Sequence, residues 1–364
     1  MMTILFPQLL AVEPPTLTPF YNSIKWTLII EILIVVLVGA FGISLHWILT
    51  SRKKKLRALR KDLESYLAKM VEQEERFDSV NFPRKFLKVS LLVPVIVEMD
   101  AKQESSSWKT LRNSIEEKYL LSKARKLAYS RRWTRQLIAV RCFALSPRID
   151  DEKYLLHLLN NKVPIIKYVA AHATATLGTS SSIDAILTVM NEATRYLRHP
   201  FHDALVKGGE KVFHYLEQRL EKETNSYTRV SCIEVLASNM NDHIASLIEK
   251  DLTCSHKNLR IAAIRALGHY KGAHTTRLLL PLLNDSEWEI RALAARSLGY
   301  LDIKKALKQI SELLKDNVWW VRMNAAMALK KMGSEGEAIL NSQNPKVDRY
   351  AYEIAQYALA LQEG

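Results

Sequence analysis

The chain has 364 residues, a formal net charge of +14 and three cysteines. Cys142, Cys232 and Cys254 form no CxxC pair and are odd in number, which argues against a disulfide framework or a cysteine zinc site and for buried reduced thiols. The charge is uneven: residues 1–50 carry one basic and two acidic side chains, residues 51–150 carry 24 and 12, and residues 151–364 carry 27 and 24, so a uniformly basic protein is excluded.

The first predicted element is a membrane span. "WTLIIEILIVVLVGAFGISLHWIL", residues 26–49, holds a single acid, Glu31. As a helix it reaches about 36 Å, enough to cross a bilayer core with some tilt. Trp26 and Trp47 stand near its ends, where interfacial aromatics belong. A cleavable signal peptide needs a basic region before a shorter apolar run; here the basic cluster Arg52, Lys53, Lys54, Lys55, Arg57, Arg60 and Lys61 follows it. By the positive-inside rule, residues 1–25 form a short tail outside and the C-terminal bulk is cytoplasmic, where thiols stay reduced. Glu31 has two readings: it reaches toward the interface, or it contacts a second membrane helix.

Residues 50–130 read as juxtamembrane helices and an N-terminal cap. "KKKLRALRKDLESYLAKMVEQEERF" continues from the span as a charged amphipathic helix. "FLKVSLLVPVIVEM" is too short to span, Pro94 is expected to kink it, and covering an open end of a repeat array would bury it.

From residue 131 the chain repeats itself. Arg260 ("NLRIAAIRALG"), Arg291 ("EIRALAARSLG") and Arg322 ("WVRMNAAMALK") are spaced by 31 residues. The same phase reaches back through Arg229, Arg198 and Lys167 to Arg135. Val321, Ala325, Ala328, Leu329 and Met332 make one apolar helical stripe. A second apolar segment precedes each phrase, as in "IKKALKQISELLKD", so each unit is a helix pair, A then B. Ala294–Ala295 and Ala325–Ala326 allow close helix approach. Asp285 and Asp316 are expected to N-cap B, and Gly268 and Gly299 to form the turn after it. A fixed period in this range means stacked repeats. Residues 348–364 are expected to supply a C-terminal capping helix.

The basic anchor, alanine pair and leucine at fixed offsets resemble the HEAT family in its short, phycobilisome-lyase-like bacterial form. The resemblance covers residues 131–333, with 106–364 as its widest extent, and implies an all-α HEAT-type α-solenoid with repeats over 131–347, here preceded by one transmembrane helix, with a concave face lined by B helices. It implies a scaffold or adaptor holding a membrane-associated protein partner at a bacterial inner membrane, not an enzyme and without cofactor. Some membrane-anchored relatives stand beside envelope glycosyltransferases, which suggests a partner class. The alternative is a HEAT-fold nucleic-acid-binding protein or a glycosylase- or lyase-like enzyme. The unit at Arg198 departs from the pattern, with Pro200 inside B and Phe201 and His202 in place of the small pair, so a distorted repeat is expected there.

The phased Arg229, Arg260, Arg291 and Arg322 read as a structural ladder bonding acids or carbonyls of neighbouring repeats, with phosphate binding as the other reading. Residues 118–149 hold nine basic side chains and no acid. Among them Lys123, Arg125, Lys126, Arg131 and Arg132 form a candidate surface for anionic lipid headgroups or an acidic partner, and the membrane tether disfavours nucleic acid. His199, His202 and Asp203 lack a second ligand pair for a metal. No His-Glu dipeptide, GxSxG, P-loop or HExxH occurs. Trp320, Met323 and Met327 recur at i, i+3 and i+7 off the core stripe, as a partner-binding hot spot or as a surface that the C-terminal helix covers. Trp319 is expected to pack along the repeats like Trp288.

Overall fold

The computed structural model describes residues 18–361 apart from 76, 79, 80 and 273. It is helical, with no strand among the described residues. The chain divides into compact units at 1–112 and 113–364. Of the expected N-terminal tail, residues 1–17 lie outside the described residues.

In the first unit, α1 (Thr18–Glu72) runs unbroken through the apolar stretch and the basic cluster. Its residues 26–48 are exposed on every side. Further along, Leu63, Leu67 and Met70 are buried, and α2 (Val89–Asp100) packs on α1. α2 continues through Pro94 and buries Leu92, Val93 and Ile96. Tyr66, Phe77, Phe82 and Phe86 form an aromatic cluster with ring centroids 5.1–6.2 Å apart in its edge-on pairs. α3 (Ser106–Ile115) carries the buried Trp108, whose indole N–H donates to Asp100 at 3.2 Å.

The second unit is a stack of helix pairs. The A helices are α4 (Leu121–Ala128), α6 (Glu152–Leu159), α8 (Ser180–Glu192), α10 (Glu210–Lys222), α12 (Asp242–Ile248), α14 (Thr275–Leu279), α16 (Leu307–Glu312) and α18 (Ser334–Asn341). The B helices are α5 (Trp133–Leu145), α7 (Pro164–Leu177), α9 (His199–Lys207), α11 (Ser226–Leu236), α13 (Lys257–Leu267), α15 (Trp288–Tyr300), α17 (Trp319–Lys331) and α19 (Arg349–Ala360). Their starts are spaced by 31, 35, 27, 31, 31, 31 and 30 residues. The expected distortion falls at α9: it begins four residues late, is the shortest B helix, and the next repeat recovers the phase. Pro200 lies in its first turn, not inside it, where a missing N–H costs no helical hydrogen bond. Phe201 is buried against Tyr168, with centroids 5.4 Å apart.

The array also begins earlier than residue 131, because α4 packs as the A partner of α5. The segment expected as a terminal cap, α19, is the B helix of an eighth pair, with α18 as its A partner.

Successive B helices pack on one another. The core stripe of α17 is buried throughout, as are Ala294, Ala295, Ala325 and Ala326. Gly268 and Gly299 do not make left-handed turns. Gly299 lies within α15, and a Cβ there would come 2.4 Å from the Ala328 Cβ; at Gly268 it would come 2.4 Å from the Ser297 Oγ. These glycines let neighbouring B helices touch. Asp285 and Asp316 are not N-caps either, since Glu287 and Val318 hold those positions. Each aspartate instead folds a tight turn, its Oδ1 accepting from the backbone N–H two residues on at 2.9 Å. That leaves carboxylate oxygen free for the ladder.

Candidate functional site

The ladder occupies the A–B turns. The Arg291 Nε and Nη2 donate to the two Asp316 oxygens at 2.8 and 3.0 Å, while Nη1 donates to the carbonyls of Asp285 and Ser286 at 2.8 and 3.0 Å. So the guanidinium ties its own turn to the next repeat's acid. Arg229 grips Asp251 in the same two-pronged way, at 3.0 and 2.5 Å, whereas Arg260 reaches Asp285 through Nη2 alone and donates its Nε to the Leu252 carbonyl at 2.8 Å. Arg229 and Asp251 are both buried. Burial pushes the Asp316 carboxyl up, but bonds from Arg291 and the Val318 N–H outweigh it and hold it below the usual range.

The ladder does not extend over the whole phased set. Arg135 is exposed with no ion pair among the described residues, and Lys167 has none either. Arg198 turns to Ser231 at 2.7 Å and Glu234 at 3.1 Å. A separate pair missed from the sequence lies outside this ladder: Arg125, on A helix α4, donates its Nε at 2.6 Å to the buried Asp151 in the turn before the next A helix, α6. The phase of the ladder could not mark it, because Arg125 stands on an A helix and the ladder arginines on B helices.

Arg322 is a rung without an acid. Its Nη1 donates to the carbonyls of Asp316 and Asn317 at 2.8 and 3.3 Å, matching Arg291 and its own turn. Its Nε is buried with no hydrogen-bond partner. The position that should supply the carboxylate holds Asn344, whose Oδ1 accepts from the Lys346 N–H at 2.9 Å, as Asp285 and Asp316 do in their turns. Two more residues separate this turn from its B helix than in the preceding repeats. The Tyr350 ring lies 5.3 Å from the Arg322 guanidinium carbon, a π contact that offers Nε no acceptor.

Beside this fork is a cleft of about 200 Å³ lined by Trp319, Arg322, Met323, Tyr350, Ile354 and Tyr357. Glu353 also borders it, with its carboxylate on Arg349 at 2.7 Å. The expected Trp320–Met323–Met327 stripe is therefore divided. Met323 faces the cleft, half-buried, whereas Trp320 and Met327 are 56% and 40% exposed and do not line it. Trp319 is not packed along the repeats: it is 44% exposed, walls the cleft and meets Trp320 edge-on at 4.6 Å. Adjacent positions on one helix cannot both face the core, and Val321 and Ala325 already fill it.

The basic segment divides as well. Arg125 is paired with Asp151 and so is not free for an anionic surface, while Lys123 sits over the Tyr119 ring at 3.6 Å. Lys126, Arg131, Arg132, Arg135 and Arg141 are exposed without an ion pair among the described residues, alongside exposed Tyr129 and Trp133. Glu31 is exposed on α1. His202 Nε2 lies 3.1 Å from the Glu234 carbonyl, and Asp203 pairs with Lys207 at 3.0 Å, so these two turn to separate partners. Cys142 and Cys232 are free and buried, and burial pushes the Cys232 thiol up to about 12.

Stacked helix pairs tied by an arginine ladder define an α-helical repeat protein, an architecture suited to holding other proteins. The sequence profile of HEAT repeats matches residues 276–340, so this part of the helical array carries HEAT repeats. Solved structures similar to it include the Escherichia coli YibA protein, 16% identical, covering 71% of this chain and 97% of that one with a TM-score of 0.37. The CpcE–CpcF complex of phycocyanin lyase from Nostoc sp. PCC7120 is 15% identical over 66% of this chain and 93% of that one, with a TM-score of 0.31. Kap121p is 14% identical over 82% and 41%, with a TM-score of 0.39. No curated protein sequence matches the chain.

Proposed function

We propose that this protein is a membrane-tethered, non-catalytic scaffold. Residues 26–49 anchor it, the N-terminal tail lies outside a bacterial inner membrane, and the HEAT array holds a membrane-associated protein partner on the cytoplasmic face. The observation that carries the tether is the first half of α1. Its apolar side chains are exposed all round, with Ile43 at 74% and Phe41 at 69%, and nothing among the described residues covers them. A helix apolar on every face calls for an apolar solvent. The exposed cluster Arg52–Lys55 directly after it favours the cytoplasmic orientation. Supporting the scaffold role are the exposed Trp320 and Met327 and the aromatic cleft beside them. The exposed Lys126, Arg131, Arg132 and Arg135 are suited to anionic headgroups, with Trp133 and Tyr129 as interfacial aromatics. An envelope glycosyltransferase is the partner class suggested by the membrane-anchored resemblance.

The test is protease protection in intact spheroplasts, combined with N-terminal sequencing of the mature chain. External protease should spare residues 60–364 and the anchor should be retained. Cleavage of the repeats from outside, or a mature chain that starts after residue 49, refutes the tether. Crosslinking in cells followed by detergent purification should recover a protein partner with the full chain.

A further inference from the structure

The vacant fork of Arg322 and the cleft beside it form one site. We propose that this site binds a protein segment presenting an aspartate or glutamate carboxylate next to an aromatic or long aliphatic side chain. The proposal rests on the scaffold reading and names where, and by what chemistry, the partner is held.

The ladder itself shows what the fork accepts. Arg291 and Arg322 anchor Nη1 identically, on the carbonyls six and five residues earlier in the chain. With Nη1 fixed in this way, the Nε–Nη2 edge of Arg291 grips both oxygens of Asp316. The same edge of Arg322 has no acceptor among the described residues, and its Nε is shielded from water. A buried donor left unsatisfied costs free energy, which a carboxylate in bidentate geometry would recover. Nη1 is already held by two carbonyls, and because Nε has no exposed surface a carboxylate that grips the Nε–Nη2 edge must first shift a side chain covering it, the Tyr350 ring over the guanidinium being the neighbour placed to move.

Three features keep the chain from filling its own site. Asn344 stands where the earlier turns have aspartate, and its neutral amide has a single oxygen, which accepts from the Lys346 N–H, and no second one for a bidentate grip. Glu353 is held by Arg349. The Tyr350 ring offers a face and no carboxylate. The cleft walls, Trp319, Met323, Ile354 and Tyr357, are largely apolar and complement an apolar side chain beside the carboxylate. At about 200 Å³ the cleft suits one side chain, not a whole cofactor.

The experiment uses the full chain in detergent and ligand-detected NMR titration. Phenylacetate carries the two features in one small probe. Phenylacetamide is its neutral isostere, and benzylphosphonate carries a phosphoryl-type group instead. Phenylacetate should bind saturably and at least tenfold more tightly than phenylacetamide. Arg322→Lys, which keeps the charge but loses the fork, should weaken phenylacetate at least tenfold and leave phenylacetamide unchanged. Trp319→Ala, at a half-exposed position, should weaken both ligands. Equal binding of phenylacetate and phenylacetamide, no saturable phenylacetate binding, or an unchanged affinity in Arg322→Lys overturns the proposal. Tighter binding of benzylphosphonate overturns it in favour of a phosphoryl-group site. Crosslinking separates the two levels. Loss of every partner from the wild-type chain defeats the scaffold reading, whereas equal partner recovery by wild type and Arg322→Lys defeats this inference alone.

Discussion

Replacing Asp316 by asparagine tests whether the ladder holds the repeats together. Asp316 and Arg291 are 7% and 14% exposed at their side chains, and the bond between them is bidentate. Removing one partner of a buried pair costs about 3–5 kcal/mol, because the other charge is stranded. Asparagine keeps an acceptor for the Val318 N–H, and the rung is just short of full burial, so the expected cost is about 2–3 kcal/mol. For an array of this length that lowers the melting temperature by about 4–10 °C. The loss should concentrate in α15 and α17, where hydrogen exchange would speed first, because each repeat contacts only its neighbours. Far-UV circular dichroism melts of wild type, Asp316→Asn, Arg291→Met and the double variant complete a cycle. The double variant should be more stable than the sum of the single losses by about 1–3 kcal/mol. There is also a pH signature. The folded Asp316 carboxyl titrates below its ordinary value of 3.8, so its stabilisation is present above that value and disappears as pH falls through the folded one. Asp316→Asn should therefore flatten the acid limb of the stability profile. A single-variant loss under about 0.5 kcal/mol, or strict additivity in the cycle, would show the rung to be decorative.

Gly299→Ala places a methyl 2.4 Å from the Ala328 Cβ, so it should destabilise by about 1–3 kcal/mol despite alanine's better helix propensity; a stabilised variant would contradict the close-approach account. Trp320→Ala should change the melting temperature little, since the ring is 56% exposed and outside the cleft, while crosslinked partner recovery falls; a large melting shift would identify it as core. Reversing Arg131, Arg132 and Arg135 to glutamate should abolish salt-sensitive attraction of the protein to anionic vesicles over neutral ones, and equal binding to both lipids would rule out the electrostatic account. Cys232, buried with its thiol raised to about 12, should resist maleimide at neutral pH until the array unfolds, and rapid labelling of the folded chain would disprove its burial.

The period of the repeats, the helix pairing and the apolar stripe of each B helix were legible in the sequence, because helical periodicity and a fixed repeat length are one-dimensional signals. The phase marked Arg229, Arg260 and Arg291, which make rungs, but it marked Arg135, Lys167 and Arg198 equally, which do not. The long apolar helix before the basic cluster was equally plain by composition. What each residue did across repeats was not. Gly299 looked like a turn residue, yet its role is set by Ala328 on the next helix. Asp316 looked like a cap for α17, yet its carboxylate belongs equally to Arg291, 25 residues earlier. Arg125 looked like part of a free basic surface until Asp151 came within 2.6 Å. Arg322 is in phase with every other rung, and nothing in its own phrase reveals that its fork is vacant. That vacancy depends on a turn two residues longer and on one amide in place of a carboxylate, in a segment where the repeat phrase has already faded. Sequence periodicity fixes which face of a helix is buried, but a bond between repeats depends on the positions of two backbones at once. Only the tertiary structure decides those, because stacking brings together atoms that the chain keeps a whole repeat apart.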